Sequence, residues 1–335
     1  MIKNNKFFLK ELTDIVFIGY SPIFEKMKNF NSSLKINSKI ISSSDQSKYI
    51  KHEHIIFDEF DNRFIDFVNK NFRIDKTLFI SIGSRSIFKK RIIKFLNGNL
   101  INFHGTRLPL DQGGGGFSWN ILREDRISNQ LVHLVDENID TGPIIYNRLS
   151  LFPKDCKIPI DFESFYLKGF IVFYKEFIRM VFDCKKFSII DQPSFIGRYN
   201  PRLNTDINGY INWDMDSYDL YNFINAFDDP YLGAKSKINR GDFGSLRLKK
   251  VHLHGGDSSN HPFISGIVIR HDLDWIVLAT KGKHVLLVEE VLDKDNKNII
   301  DYIKPGDRFY NNYDDLLKAR SQRIIYNSKG LKNEN

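Results

Sequence analysis

Three residues of types that carry out acyl-transfer chemistry lie close together in this chain: Asn102, His104 and Asp140. An imidazole can take a proton from an attacking nucleophile. A carboxylate beside it holds one tautomer and favours the charged ring, and an amide can donate to a developing oxyanion. No Ser or Cys sits in a nucleophile elbow near them, so the expected nucleophile is the substrate's own amine, or water. The spacing favours convergence. Residues 100–103 form an apolar run suited to a buried strand, Pro109 and the glycine run 113–116 end regular structure after it, and positions 102 and 104 of a strand point to one face. A second strand is predicted over 131–135, followed by a turn carrying Asp136 and Asp140. In an open α/β sheet both loops would lie outside the carboxyl ends of the strands, where ligands bind. A polar network that merely satisfies a buried turn is the non-catalytic alternative.

Positioning such residues requires a sheet. The chain has 335 residues, 41% hydrophobic and 27% charged, which predicts about two domains with real cores. Buried strands are predicted at 14–20, 38–42, 54–57 and 78–82, with helices at 22–30, 63–71 and 86–96, and the alternation argues for a parallel, Rossmann-like sheet with crossover helices. Gly19 stands alone, without the glycine fingerprint of a dinucleotide site. The run 113–116 lacks a following Gly-Lys-Ser/Thr, so it reads as a close backbone approach to the trio rather than a triphosphate cradle, before a helix at 117–123 that packs Trp119 into the core. A loop at 152–159 and a long helix at 162–182 follow, and the first domain is expected to end near 200. Beyond it, a helix at 217–226 and short runs at 246–253, 264–269, 275–279 and 285–291 suit a small antiparallel barrel. His133 reads as a strand histidine bonded in place, not a metal ligand, and no metal is expected. Cys156 and Cys184 have no metal-ligand spacing and read as reduced thiols.

The net charge of +8 comes from scattered Lys and Arg, apart from a basic tail with Lys318, Arg320, Arg323, Lys329 and Lys332; a solvated surface is favoured over an RNA-binding patch. Lys10, Glu11 and Asp14 break the first apolar run and no span of about 18 apolar residues occurs, so neither signal peptide nor membrane span is expected and a cytoplasmic location is.

Asn-x-His at a strand end, Leu108-Pro109, Gly113-Gly114 and Asp140-Thr141-Gly142 together resemble the formyltransferase family that uses N10-formyltetrahydrofolate. Gly105 and Thr106 depart from the more usual Pro and Ser after the histidine. The resemblance implies that Asn102, His104 and Asp140 are catalytic, and that backbone around Ser84, Arg85, Ile87, Val135 and Asp136 contacts the folate. Ile211-Asn212-Trp213 and Pro230-Tyr231-Leu232-Gly233-Ala234 resemble later family segments, and the family's fold implies a Rossmann-like formyltransferase domain over 1–200 and an OB-like β-barrel domain over 201–335. Methionyl-tRNA formyltransferases carry a long basic insertion after the second strand, whereas here 43–54 is short, with only Lys48 and Lys51 as fixed positive charges. The expected acceptor is therefore a nucleotide-linked amino sugar, dTDP- or UDP-borne, formylated for surface polysaccharide (lipopolysaccharide O-antigen) synthesis, with Tyr199, Trp213, Tyr221 and Phe227 as candidates to stack on the base. A homodimer is the arrangement usual in sugar formyltransferases. Alternatives are a methionyl-tRNA formyltransferase, a deformylase with water as acceptor, and a noncatalytic RNA-binding protein.

Overall fold

The computed structural model describes residues 2–332 except Asn4, Gly115 and Asp242, so one member of the glycine run lies outside the described residues. The fold is mixed α/β. Its N-terminal part is built on strands β1 (Asp14–Gly19), β2 (Asn37–Ser42), β3 (Ile55–Ile56), β4 (Thr77–Ile82), β5 (Leu100–His104), β7 (Ile127–Leu134) and β8 (Ile144–Leu151), in the spatial order β8-β7-β5-β4-β1-β2-β3; the short strand between β5 and β7, β6 (Asp111–Gly113), lies outside this sheet. The first five strands in sequence pair in parallel through helices α1 (Phe24–Ser33), α2 (Asn62–Asn71) and α3 (Lys90–Phe95). β1 and β4 are buried along almost their whole length, as strands covered on both faces must be.

Two expectations are corrected here. The sheet is not wholly parallel: β7 runs antiparallel to β5, with His133 opposite Asn102, and β8 runs antiparallel to β7. The turn after β7 therefore starts beside Ile101, at the amino end of β5, and reaches the trio by folding back. The helix expected over 86–96 begins only at Lys90, because Ser84 Oγ accepts the Ser86 amide at 3.2 Å in a local turn and the backbone at Lys89 is still extended.

β5 shows how the sheet aims its polar residues. Ile101 and Phe103 face a core closed by the long helix α5 (Pro159–Phe182), where the Phe103 ring meets Phe170, Phe173 and Phe177 edge-on at 5.6–6.0 Å between centroids. Burial of rings of this size contributes roughly 2 to 3 kcal/mol each. On the opposite face Leu100 is buried among residues of α2 and α3, while Asn102 and His104, further along, are only half-buried. α5 begins at Pro159, three residues earlier than expected, with the Asp161 carboxylate accepting from the amides of Lys157 and Ile158.

The C-terminal part carries α6 (Ser217–Ala226), capped by Asp216, and a six-stranded antiparallel sheet. Its strands are β10 (Ala234–Ile238), β11 (Leu246–Asn260), β12 (Val268–His271), β13 (Ile276–Leu278), β14 (Gly282–Leu292) and β15 (Phe309–Tyr310), ordered β12-β13-β14-β11-β10-β15; a further short strand, β9 (Arg198–Asn200), pairs with β6. The sheet curls until its edges touch: Val268 donates to Asp307 O and Phe309 to Gly266 O, each at 2.8 Å, around an Ile267–Arg308 bridge. Of the run expected as a strand at 264–269 only Val268 and Ile269 belong to β12; Ile264 closes a 3₁₀ turn (Pro262–Ile264), and the chain turns through Gly266 at φ +82°, with the Ile267 amide donating to Ile264 O at 3.0 Å. Trp213, Leu220, Ile224, Leu248 and Phe309 share a core with Ile121, Phe152 and Phe162 from the N-terminal half. A last helix, α7 (Tyr313–Ser321), precedes a hairpin pairing Tyr326–Asn327 with Gly330–Leu331. Among the described residues, no helix is long and apolar enough to cross a membrane.

Candidate active site

A cavity of about 970 Å³ opens where β4 and β5 end, and Asn102, His104 and Asp140 all line it. Asn102 and His104 arrive on alternate positions of β5. Asp140 arrives on the 135–142 turn, its backbone in the left-handed region at φ +58°. Two further groups hold that turn in place. Gln192 donates from Nε2 to the carbonyls of Asp140 and Gly142 at 3.0 and 2.6 Å, and the Gly113 amide donates to Asp140 Oδ2 at 3.0 Å. Glycine is required at 142 because a Cβ there would fall 1.8 Å from Leu134 O, and at Gly113, φ +87°, a Cβ would fall 2.5 Å from Cε2 of the Tyr199 ring.

The hydrogen-bond partners assign the protons. His133 is buried, and its Nδ1–H donates to Leu134 O at 2.7 Å, so its Nε2 accepts from Asn102 Nδ2 at 3.0 Å. Burial above all, then the neighbouring His104, pushes the His133 pKa down to about 4, which keeps the ring neutral and an acceptor. The Asn102 amide is thereby fixed with its NH₂ on this side and one N–H left to donate. Thr106 donates its hydroxyl proton to Asp111 O at 2.6 Å and so accepts from His104 Nε2–H. In the neutral ring the lone pair is then on Nδ1, 3.7 Å from Asp140 Oδ1. A proton gained at Nδ1 would lie beside a carboxylate, the arrangement a general base needs.

The sequence therefore points to the trio but not to its supports. His133 was expected as a strand histidine bonded in place, and it is; its hold on Asn102 has no signal in the sequence beyond its place opposite position 102 across an antiparallel pair. Thr106 could be seen only as the residue two after His104, and Gln192, some 50 residues away from its partners, carried no signal. His104, His133 and Asp140 offer ligand atoms within 4.8 Å of one another, and these are the atoms a metal ion would use; His133 Nε2 already holds Asn102.

Ser84, Arg85, Ile87, Val135 and Asp136 also line the cavity, on its 83–88 and 135–140 walls. Ile87 is 71% exposed toward the opening, and Asp136 is tied down by Thr141 Oγ1 at 2.7 and 2.8 Å. Arg85 pairs with Asp45 and lies 4.6 Å from the Tyr326 ring centroid; burial, then the nearby Arg202 guanidinium, holds it below the ordinary arginine range. Of the four candidate stacking residues, Tyr199 and Phe227 line the cavity, Tyr199 half-exposed and Phe227 buried, while Trp213 is buried against Phe309 and the half-buried Tyr221 packs on the same core. Trp119, expected in the core, is half-buried beside the cavity, its Nε1 donating to Pro201 O at 2.9 Å.

Residues 205–304 match the family model described as formyl transferase, C-terminal domain. The chain carries a formyl transferase C-terminal domain. It is 24% identical over 206 residues to the bifunctional polymyxin resistance protein ArnA of Wigglesworthia glossinidia brevipalpis, covering 60% of this chain and 30% of that one. It is 22% identical to the methionyl-tRNA formyltransferase of Clostridium botulinum, covering 68% and 69% of the two chains. The chain thus spans under a third of the first relative and about two thirds of the second. Among solved structures it resembles, at TM-score 0.59 and 16% identity over 83% of this chain and 99% of the other, the N-formyltransferase from Helicobacter canadensis, crystallised with folinic acid and dTDP-3-aminofucose. That likeness shows that the formyltransferase fold extends through both halves.

Proposed function

We propose that this chain is an N-formyltransferase that moves a formyl group from N10-formyltetrahydrofolate to the amine of a nucleotide-linked amino sugar, using Asn102, His104 and Asp140. The observation that carries it is the convergence of the three on one cavity with their protons assigned: a donor at Asn102, an acceptor at His104 Nδ1 and a carboxylate beside that nitrogen. The folded likeness to an N-formyltransferase crystallised with folinic acid and a dTDP-amino sugar supports the choice of donor and acceptor. A cavity of about 970 Å³ is at the upper end for one small ligand and suits two substrates side by side. The walls at 83–88 and 135–140 offer backbone that lies outside helix and strand, with the apolar Ile87 and Val135, to a flat heterocycle, which supports placing the folate there. We read the curled C-terminal sheet as the OB-like barrel, and 1–200 and 201–335 as the two domains.

The folate supplies the formyl group. The acceptor amine attacks the formyl carbon; His104 takes the amine's proton and Asp140 stabilises the resulting imidazolium. Asn102 donates to the oxygen as it gains charge. As the bond from the formyl carbon to N10 breaks, that proton is returned to N10, so atoms and charge balance. The test is formation of tetrahydrofolate from N10-formyltetrahydrofolate with a panel of dTDP- and UDP-amino sugars. Turnover that depends on one amino sugar supports the reading; formate release at the same rate without any amine, or formylation of charged tRNA alone, overturns it.

A further inference from the structure

The segment 322–332, beyond the region matched to the family, crosses back from the C-terminal half to the first domain and forms part of the cavity wall. Its hairpin is anchored at both sides: the Asp45 amide donates to Ser328 O at 3.2 Å, Arg202 and Ile324 form an antiparallel bridge, and Asn204 Nδ2 donates to the Tyr326 hydroxyl at 3.3 Å. Charge and aromatic faces are concentrated there. Arg202 lies 5.6 Å from the Tyr326 ring centroid, on the same ring that Arg85 approaches, and Arg323 lies 5.8 Å from that of Tyr199. Arg85 is paired with Asp45, whereas among the described residues neither Arg202 nor Arg323 has a carboxylate within 4.0 Å. Two guanidinium groups, Arg202 at the bridge and Arg323 next to it, therefore line the cavity, with no carboxylate within 4.0 Å of either among the described residues. Guanidinium is the side chain best matched to phosphate, two N–H groups to two oxygens.

We propose that the 322–332 segment is a cap that completes the acceptor site, with Arg202 and Arg323 holding the diphosphate of the nucleotide. This rests on the nucleotide-sugar reading above. Arg85, already neutralised, is not part of the diphosphate site, and Tyr199 is the half-exposed ring placed to flank the nucleoside.

Binding of dTDP and UDP to the full chain, by calorimetry, tests this, with 5-formyltetrahydrofolate titrated separately. The expected result is that Arg202→Gln and Arg323→Gln each weaken nucleotide binding about tenfold or more, with the Kd less sensitive to salt than in the parent, while folate binding is unchanged; Arg323→Lys, which keeps the charge, restores part of the loss. Far-UV circular dichroism and melting temperature confirm that each variant is folded. Two results overturn the cap: nucleotide binding unchanged in both folded Gln variants, or folate binding weakened in place of nucleotide binding, which would assign the guanidiniums to the folate's carboxylates. If the parent binds folate but neither nucleotide, the nucleotide-sugar reading falls and the cap with it.

Discussion

Asn102 can donate to a developing oxyanion only because something fixes its amide, and His133 does so. Truncating the donor to alanine should reduce kcat on the order of a hundredfold or more with little change in KM, since the bond is made in the transition state. Near-normal turnover in Asn102→Ala would remove it from the mechanism. His133 itself gives a pH signature. Its pKa is about 4 in the fold against 6.5 for the free side chain, so between those values the unfolded chain binds a proton the folded one does not. Stability therefore falls as pH drops from about 6.5 toward 4, by on the order of 3 kcal/mol for this group. His133→Gln keeps an acceptor but cannot titrate, so the gap in urea midpoint between parent and variant should narrow over that range. An equal gap at pH 7 and pH 4.5 would show that His133 is not held neutral.

The supporting turn brings the same question to a whole element. Asp140 reaches His104 because 135–142 doubles back from the amino end of β5, and Gly142 permits the doubling by lying against Leu134 O. Gly142→Ala should cost roughly 1 to 3 kcal/mol of stability and displace Asp140, lowering kcat together with melting temperature. A variant that melts and turns over like the parent would show that the turn has room to spare. Much of the candidate catalytic face is legible in the chain: alternation in 100–104 puts 102 and 104 on one face, and a glycine-ended turn follows the next strand. The direction of β7 was not legible, because an apolar strand reads the same whether it pairs in parallel or antiparallel. β8 leaves no clear signal in the sequence for a related reason. It is an edge strand with exposed Leu149 and Leu151, so its pattern follows no single buried face. The proposed cap shows in the sequence only as part of a basic tail, since Arg323 acquires its meaning from Arg202 and Tyr199, more than a hundred residues earlier.

Across the whole molecule the two halves are joined by a shared core rather than by a linker alone. Phe162, 1% exposed at the start of α5, packs at a tilt against Phe152 with 4.5 Å between centroids and belongs to the same apolar cluster as Leu220, Ile224 and Phe309. Ser118 Oγ adds a buried bond to Ala226 O at 2.7 Å, tying α4 (Phe117–Leu122) to the end of α6. The proposed domain boundary near 200 is thus one of topology, because one apolar cluster crosses it. The two proposed domains should therefore unfold together. In urea, far-UV ellipticity, dominated by helices such as α5 in the first half, and tryptophan fluorescence, from Trp213 and Trp275 in the second half as well as Trp119, should report one midpoint. Phe162→Ala removes a ring from the shared core and should cost about 3 to 5 kcal/mol, shifting both signals by the same amount. Separate midpoints in the parent, or a shift of the ellipticity signal alone in the variant, would mean that the C-terminal sheet is stable without the first domain, and that the cavity between them is assembled by docking rather than by folding.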